Sequence, residues 1–212
     1  ESQNRACASG PFVCRMTNLQ TLRRSIGARV SEPMVSVLKR CPVSPNVVTV
    51  AGLAITFVAA WLASDGRFLT AGIVLAGASL FDMLDGALAR ATGKSTQFGA
   101  ILDSVCDRVG EAAVIGGITL WFTSAGNTIG VLVSLVALVS SFLVSYSRAR
   151  GEGVGIQCTV GLCTRPERAI VLTLGLLIGW VLAAVSIVAV GASVTVLERL
   201  IYLQRKGKES GN

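Results

Sequence analysis

Residues 81–108, FDMLDGALARATGKSTQFGAILDSVCDR, place four aspartates within a sequence that is apolar on both sides. Asp82 and Asp85 are three positions apart, so they lie on one face of a helix. Asp103 and Asp107 are four positions apart and do the same on a second helix. The short polar segment RATGKST joins the two. This predicts two antiparallel helices whose four carboxylates converge in one pocket.

The composition of the whole chain predicts a membrane protein. Of its 212 residues, 52% are hydrophobic and only 15% are charged, whereas a soluble domain has about 25% charged residues. The chain has six cysteines, no CxxC pair and no histidine, which argues against a zinc site of the usual kind. The sequence therefore predicts an all-α, polytopic membrane protein.

Six segments are apolar enough to span a bilayer as helices of about 20 residues. They are residues 46–64, 67–91, 97–123, 128–149, and two that share residues 165–205. Residues 169–197 carry no charge, and Gly179-Trp180 is the favoured turn between the last two spans. One long tilted helix remains the alternative there.

The basic residues indicate how the chain crosses the membrane, because cytoplasmic loops collect Lys and Arg. All four clusters fall on one side of a six-span arrangement: Arg23, Arg24, Arg29, Lys39 and Arg40; Arg90 and Lys94; Arg148, Arg150, Arg165 and Arg168; Arg205, Lys206 and Lys208. We expect both termini and the acidic pocket on the cytoplasmic side of the cell membrane. The net charge of +7 then reflects topology and contact with anionic lipid rather than nucleic-acid binding.

The N-terminal part of the chain precedes the first span. Apolar residues recur at helical spacing through residues 19–40 with basic residues between them, which predicts an amphipathic interfacial helix that Pro33 kinks. An ordinary helix packed on the bundle is the alternative. Residues 1–15 differ in character from the rest of the chain and are interpreted as a tag remnant or disordered tail, so that residues 16–212 form one membrane domain.

The four carboxylates require compensation, since each costs at least about 2.5–3.5 kcal/mol inside a bilayer. An all-oxygen ligand set favours hard cations such as Mg²⁺, Mn²⁺ or Ca²⁺, and two bridged ions could hold phosphate oxygens. Gly86 and Gly99 allow close approach of a ligand or neighbouring backbone, and Arg90 suits a phosphate. Two alternatives stay open: a buried network of acids paired with arginines, and a path for cations or protons.

The spacing D-x2-D-G-x2-A-R-x8-G-x3-D-x3-D resembles the signature of the CDP-alcohol phosphatidyltransferase family at every fixed position. The segment SPNVVT at residues 44–49 resembles that family as well. Members transfer a phosphatidyl or related lipid phosphate group from a CDP-linked lipid to an alcohol and release CMP. The resemblance implies a transferase that binds the donor CDP-diacylglycerol and works as a homodimer.

The resemblance also implies roles for individual residues. Two Mg²⁺ or Mn²⁺ ions would be held by the four aspartates, and Asp107 would also be the base that deprotonates the acceptor hydroxyl. Contacts to the CDP-lipid would come from Asn46, Thr49, Asp85, Gly86 and Arg90.

Two further basic clusters bear on the acceptor. They are SYSRARGE and TRPER, and with Lys94 they supply Arg148, Arg150, Arg165 and Arg168 as candidate ligands of an acceptor phosphate. Both clusters resemble those of bacterial phosphatidylinositol phosphate synthases, which implies myo-inositol 1-phosphate as the acceptor. Glycerol 3-phosphate and an archaeal-type lipid donor are the alternatives, and serine ranks lower. Positive-inside topology alone also explains the arginines, and a cation transporter is the alternative of another class.

Overall fold

The structure, a computed structural model, describes residues 44–92, 96–158 and 160–210. Within these ranges it consists of six α-helices and contains no strand: α1 Pro45–Ser64, α2 Phe68–Thr92, α3 Gln97–Ser124, α4 Thr128–Gly153, α5 Arg165–Ile178 and α6 Val181–Ser210. The predicted all-α class is confirmed. Among the described residues, three helices are long and apolar enough to cross a membrane, at Pro45–Ser64, Thr128–Gly153 and Val181–Lys208.

Tight turns separate α1 from α2, α3 from α4 and α5 from α6, where the sequence predicts them. Gly66 and Gly126, with φ of 77° and 67°, occupy the α1–α2 and α3–α4 turns, a backbone conformation that favours glycine. Gly179, with φ of 81°, caps the C-terminus of α5. The predicted break at Gly179 is confirmed, and the single long helix is excluded.

Small residues bring the helices together. Helix α1 packs against α2 and α3, α4 packs against α3 and α6, and α5 packs against α2 and α6. At Gly117 of α3, a Cβ atom would lie 2.2 Å from the carbonyl oxygen of Ala60 on α1. Buried Ile115, Phe122 and Val185 contribute to the core between these helices.

Large apolar side chains cover much of the outside of the bundle. Trp61, Ile129 and Val190 are each about two thirds exposed, while alanines such as Ala63 and Ala137 are fully buried. Helices that face lipid have this distribution, because small residues allow close helix contacts and large apolar ones need no shielding from hydrocarbon.

Several predictions concern residues that the structure does not describe. The predicted amphipathic helix at 19–40, the N-terminal segment 1–15 and Lys94 lie outside the described residues. Positions 83–92 belong to helix α2, but their side chains are likewise outside the described part, and these include Asp85, Gly86 and Arg90.

Candidate active site

Three of the four predicted aspartates meet between α2 and α3. Asp82 comes from α2, and Asp103 and Asp107 come from α3. One carboxylate oxygen from each lies within 4.8 Å of the other two. Asp107 is buried, with 8% of its surface exposed, while Asp82 and Asp103 are half-buried. The helical spacing in the sequence therefore predicts this cluster correctly for the described aspartates.

A cation from a third helix reaches the cluster. Arg165, the first residue of α5, places Nη2 2.8 Å from Oδ2 of Asp82 and 2.5 Å from Oδ1 of Asp107. Yet Oδ1 of Asp107 is buried and has no hydrogen-bond donor among the described groups. The short distance without hydrogen-bond alignment indicates an electrostatic contact. The alternative in which the acids pair with arginines is therefore found in part, because Arg165 contacts Asp82 and Asp107.

The donor atoms of this cluster fit a hard divalent cation. All are carboxylate oxygens, the ligands that Mg²⁺ and Mn²⁺ prefer. The buried Oδ1 atom of Asp107, which lacks a hydrogen-bond donor among the described groups, is an acceptor whose burial otherwise costs free energy. A bound cation would satisfy it.

A cavity of about 70 Å³ opens beside the cluster. Asp82, Asp107, Glu111 and Arg165 line it, together with apolar residues that include Leu53 and Leu172. A cavity lined by both charged and apolar side chains suits a molecule with a phosphate group and a hydrocarbon part.

The predicted donor-side residues of α1 face this region. Thr49 lines the cavity and is buried. Asn46 lies one turn earlier, where its Oδ1 atom would be 3.1 Å from a Cβ atom at Gly99. Helix α1 therefore brings both predicted residues toward α3, and Gly99 leaves room for the Asn46 side chain.

A second ion pair lies one helical turn beyond the first. Glu111 follows Asp107 by four positions on α3, and Arg168 follows Arg165 by three on α5. Nε and Nη2 of Arg168 lie 2.6 and 2.8 Å from the two Glu111 oxygens. Glu111 is not among the site residues predicted from the sequence, although its spacing from Asp107 places it on the same helix face.

The predicted acceptor arginines do not all lie together. Arg165 contacts the acidic cluster, whereas Arg168 is 0% exposed and also donates to the Cys163 carbonyl oxygen. Arg148 pairs at 2.8 Å with Glu152 on the exposed surface of α4. Arg150 is exposed in the last turn of α4, and among the described residues no ion pair joins it to the cluster.

Comparison with known proteins identifies the family. The sequence profile of CDP-alcohol phosphatidyltransferases matches residues 42–200, which is most of the chain. The chain belongs to the CDP-alcohol phosphatidyltransferase family. It is therefore a transferase of phospholipid biosynthesis, and the three described aspartates of its signature lie within one acidic cluster.

Individual relatives are similar to this transferase over most of their length. The phosphatidylinositol phosphate synthase of Mycobacteroides abscessus is 38% identical over 188 residues, covering 84% of this chain and 86% of its own. The archaetidylinositol phosphate synthase of Methanothermobacter thermautotrophicus is 35% identical over 178 residues, covering 81% of this chain and 89% of its own.

Solved structures of the phosphatidylinositol phosphate synthase of Mycobacterium tuberculosis share the fold of this transferase. One holds bound CDP-DAG, with a TM-score of 0.77 at 33% identity, covering 83% of this chain and 94% of that chain. Another is a complex with manganese and citrate, with a TM-score of 0.77 at 32% identity, covering 82% of this chain and 88% of that chain. The prediction that the chain most resembles bacterial phosphatidylinositol phosphate synthases is confirmed.

Proposed function

We propose that this enzyme transfers the phosphatidyl group of CDP-diacylglycerol to myo-inositol 1-phosphate, giving phosphatidylinositol phosphate and CMP. The observation that carries the proposal is Arg165, a cation that lines the cavity and is held directly against the acidic cluster. An acceptor with its own phosphate needs such a cation beside the reaction centre. The phosphatidylinositol phosphate synthases among its relatives support the same acceptor.

The four aspartates of the signature, Asp82, Asp85, Asp103 and Asp107, would hold two Mg²⁺ or Mn²⁺ ions. When bound, such ions neutralise the diphosphate of the donor and lower the pKa of the acceptor hydroxyl. The manganese complex of the Mycobacterium tuberculosis relative supports a divalent cation in this family.

The remaining residues would bind and orient the two substrates. On the donor side, Asn46, Thr49, Asp85, Gly86 and Arg90 would hold the CDP group. On the acceptor side, Arg165 would bind the phosphate of inositol phosphate, aided by Lys94, Arg148, Arg150 and Arg168.

In the transfer itself, the acceptor hydroxyl oxygen forms a bond to the lipid-linked phosphorus of the donor. The bond from that phosphorus to the bridging oxygen of the diphosphate breaks, and CMP leaves with the bridging oxygen. Asp107 would accept the proton of the hydroxyl. Its position is suitable, because Asp107 lines the cavity beside Arg165.

The proposed membrane arrangement has six spans, with both termini and the active site on the cytoplasmic side of the plasma membrane. Helices α2, α3 and α5 then cross the membrane together with the three more apolar helices. An amphipathic helix at residues 19–40 would lie along the cytoplasmic leaflet, and residues 16–212 would form a single domain. Two copies of the chain would form a homodimer.

The experiment that tests this function is an acceptor comparison with the purified enzyme in lipid nanodiscs. We expect CMP release from CDP-diacylglycerol and Mg²⁺ with inositol 1-phosphate, but far less with glycerol 3-phosphate or serine. Asp103→Asn and Asp107→Asn should abolish both release and Mn²⁺ binding. Asp65→Asn, at an exposed aspartate of the α1–α2 turn, is the matched control. If turnover were faster with glycerol 3-phosphate, that compound rather than inositol 1-phosphate would be the acceptor.

An archaeal-type lipid donor is a second candidate, because the archaetidylinositol phosphate synthase is 35% identical to this chain. The same assay with CDP-archaeol in place of CDP-diacylglycerol separates the two donors. A higher kcat/KM for CDP-archaeol would assign the ether lipid, with the acceptor unchanged.

A further inference from the structure

An arginine lies beside the buried aspartate of the acidic cluster. Arg108 follows Asp107 on α3, and its Nη1 atom lies 3.7 Å from Oδ2 of Asp107. The same nitrogen donates to the carbonyl oxygen of Ser104, one turn earlier on the helix, at 2.5 Å. Both contacts are within α3, so the helix that carries Asp107 also holds this guanidinium next to it.

Asp107 therefore lies between two guanidinium groups that differ in their relation to the cavity. Arg165 of α5 contacts Oδ1 of Asp107 at 2.5 Å and lines the cavity. Arg108 lies near Oδ2, and the described residues that line the cavity do not include it. A molecule in the cavity can contact Arg165 and Asp107 directly. Arg108 acts on such a molecule through Asp107.

The contact between Arg108 and Asp107 supplies charge rather than a directed bond. At 3.7 Å it is longer than a hydrogen bond between nitrogen and oxygen, and the Arg108 side chain is 32% exposed. In the proposed six-span arrangement this side chain is on a helix that crosses the membrane. Charged side chains are costly there and are usually retained for a function.

A fixed positive charge beside a carboxylate changes how strongly that carboxylate binds a cation. Asp82, Asp103 and Asp107 present oxygens within 4.8 Å of one another, and apolar side chains of the cavity lie next to them. Charges interact more strongly in such surroundings than in water. The three carboxylates attract a divalent cation, whereas the charge of Arg108 repels it. Arg108 therefore lowers the cation affinity of the cluster from outside the cavity.

We propose that Arg108 is a positioning residue that sets the affinity of the acidic cluster for divalent cations. Its charge weakens the binding of a cation to the aspartates alone, so that the negative diphosphate of the donor contributes much of the binding. Cation and donor then bind cooperatively, each raising the affinity for the other. The inference rests on the proposed function, which assigns the aspartates to Mg²⁺ or Mn²⁺.

The test measures Mn²⁺ binding by electron paramagnetic resonance, with the enzyme in nanodiscs of uncharged phosphatidylcholine. Arg108→Gln retains a donor for the Ser104 carbonyl oxygen, Arg108→Met removes it, and Arg108→Lys retains the charge. We expect both neutral variants to bind Mn²⁺ roughly tenfold more tightly than the wild type. The affinity of Arg108→Lys should stay within about threefold of the wild-type value.

Arg67→Gln is the matched control. Arg67 is exposed in the α1–α2 turn, where it pairs with Asp65 at 3.0 Å, so the loss of its charge should leave Mn²⁺ binding unchanged. Adding CDP-diacylglycerol should tighten Mn²⁺ binding in the wild type, and by a smaller factor in the neutral Arg108 variants. Damage to the fold would weaken the site, which is opposite to the expected change. If one neutral variant fails to fold, the other provides the same comparison.

Unchanged or weaker Mn²⁺ binding in the neutral variants would overturn the inference, whatever their activity. Equal tightening in Arg67→Gln would also overturn it, by indicating an effect of net charge rather than of position. If the wild type and Asp103→Asn bound Mn²⁺ equally, the metal site of the proposed function would be rejected together with this inference. Failure of the wild type to use inositol 1-phosphate would reject only the proposed acceptor, and the Mn²⁺ affinities would still decide the role of Arg108.

Discussion

Replacing Glu111 with glutamine removes one charge from the buried pair on α3 and α5. In the wild type, two nitrogens of Arg168 lie 2.6 and 2.8 Å from the Glu111 carboxylate, and Arg168 is 0% exposed. Charge-assisted hydrogen bonds contribute about 1.5–3 kcal/mol each. Removing one partner of a buried pair costs about 3–5 kcal/mol, because the other charge stays buried without compensation.

Thermal unfolding in detergent, followed by tryptophan fluorescence, measures this loss. For a chain of this size each kcal/mol lowers Tm by about 2–4 °C, so we expect Glu111→Gln to lower it by about 6–20 °C. Arg168→Met should cost at least as much, because it also removes the bond to the Cys163 carbonyl oxygen. The double variant Glu111→Gln/Arg168→Met should be less destabilised than the sum of the singles.

Glu152→Gln is the matched control for this experiment. Its carboxylate pairs with Arg148 at 2.8 Å on the surface, where both side chains are about half exposed. Exposed pairs contribute about 0–1 kcal/mol, so Tm should change by no more than about 4 °C.

The sequence-based prediction for Arg168 gives a different result. If Arg168 served chiefly as a ligand of the acceptor phosphate, Arg168→Met would raise the acceptor KM and Glu111→Gln would leave Tm unchanged. That combination would refute the reasoning from the buried pair. A large loss of Tm in both single variants, with coupling in the double variant, would support it.

Two further predictions concern close packing and thiol chemistry. Gly117→Leu should prevent α1 and α3 from packing, since even a Cβ atom would lie 2.2 Å from the Ala60 carbonyl oxygen. Size-exclusion chromatography should show aggregation of this variant. The control Gly116→Ala, at a glycine with open space around it, should elute normally. Burial raises the pKa of the Cys163 thiol, so its thiolate fraction is lower than that of an ordinary cysteine until the pH exceeds the raised value. Alkylation of Cys163 in the folded protein should therefore be slow. Its rate should still rise with pH where the alkylation rate of a peptide thiol has already reached its maximum. Equal pH-dependent rates for Cys163 and the peptide thiol would contradict this.

The helix pattern is largely predictable because it depends on local properties of the chain. Apolar length, glycine at the turns and the spacing of the aspartates are all visible within short segments. The break at Gly179 and the convergence of Asp82, Asp103 and Asp107 are predicted in this way and are found in the structure.

The partners of the arginines are not predictable in the same way. Arg165 and Arg168 occur in one short motif, and the sequence suggests the same role for both. In the structure Arg165 faces Asp82 and Asp107, while Arg168 is buried against Glu111. The difference arises because three positions advance a helix by most of one turn along its axis, which carries the chain from the acidic cluster at Arg165 to the fully buried position of Arg168.

By itself, the sequence determined an all-helical chain, its breaks and an oxygen-lined acidic pocket, because short-range periodicity and side-chain chemistry fix these features. Only the tertiary structure decided which cation meets which acid and that Arg199 of α6 bonds to two backbone segments. The bonds of Arg199 go to carbonyl oxygens of Val144 and Val160. Every residue carries such an oxygen, so no side-chain pattern marks the pairing, and helix packing alone brings these groups together.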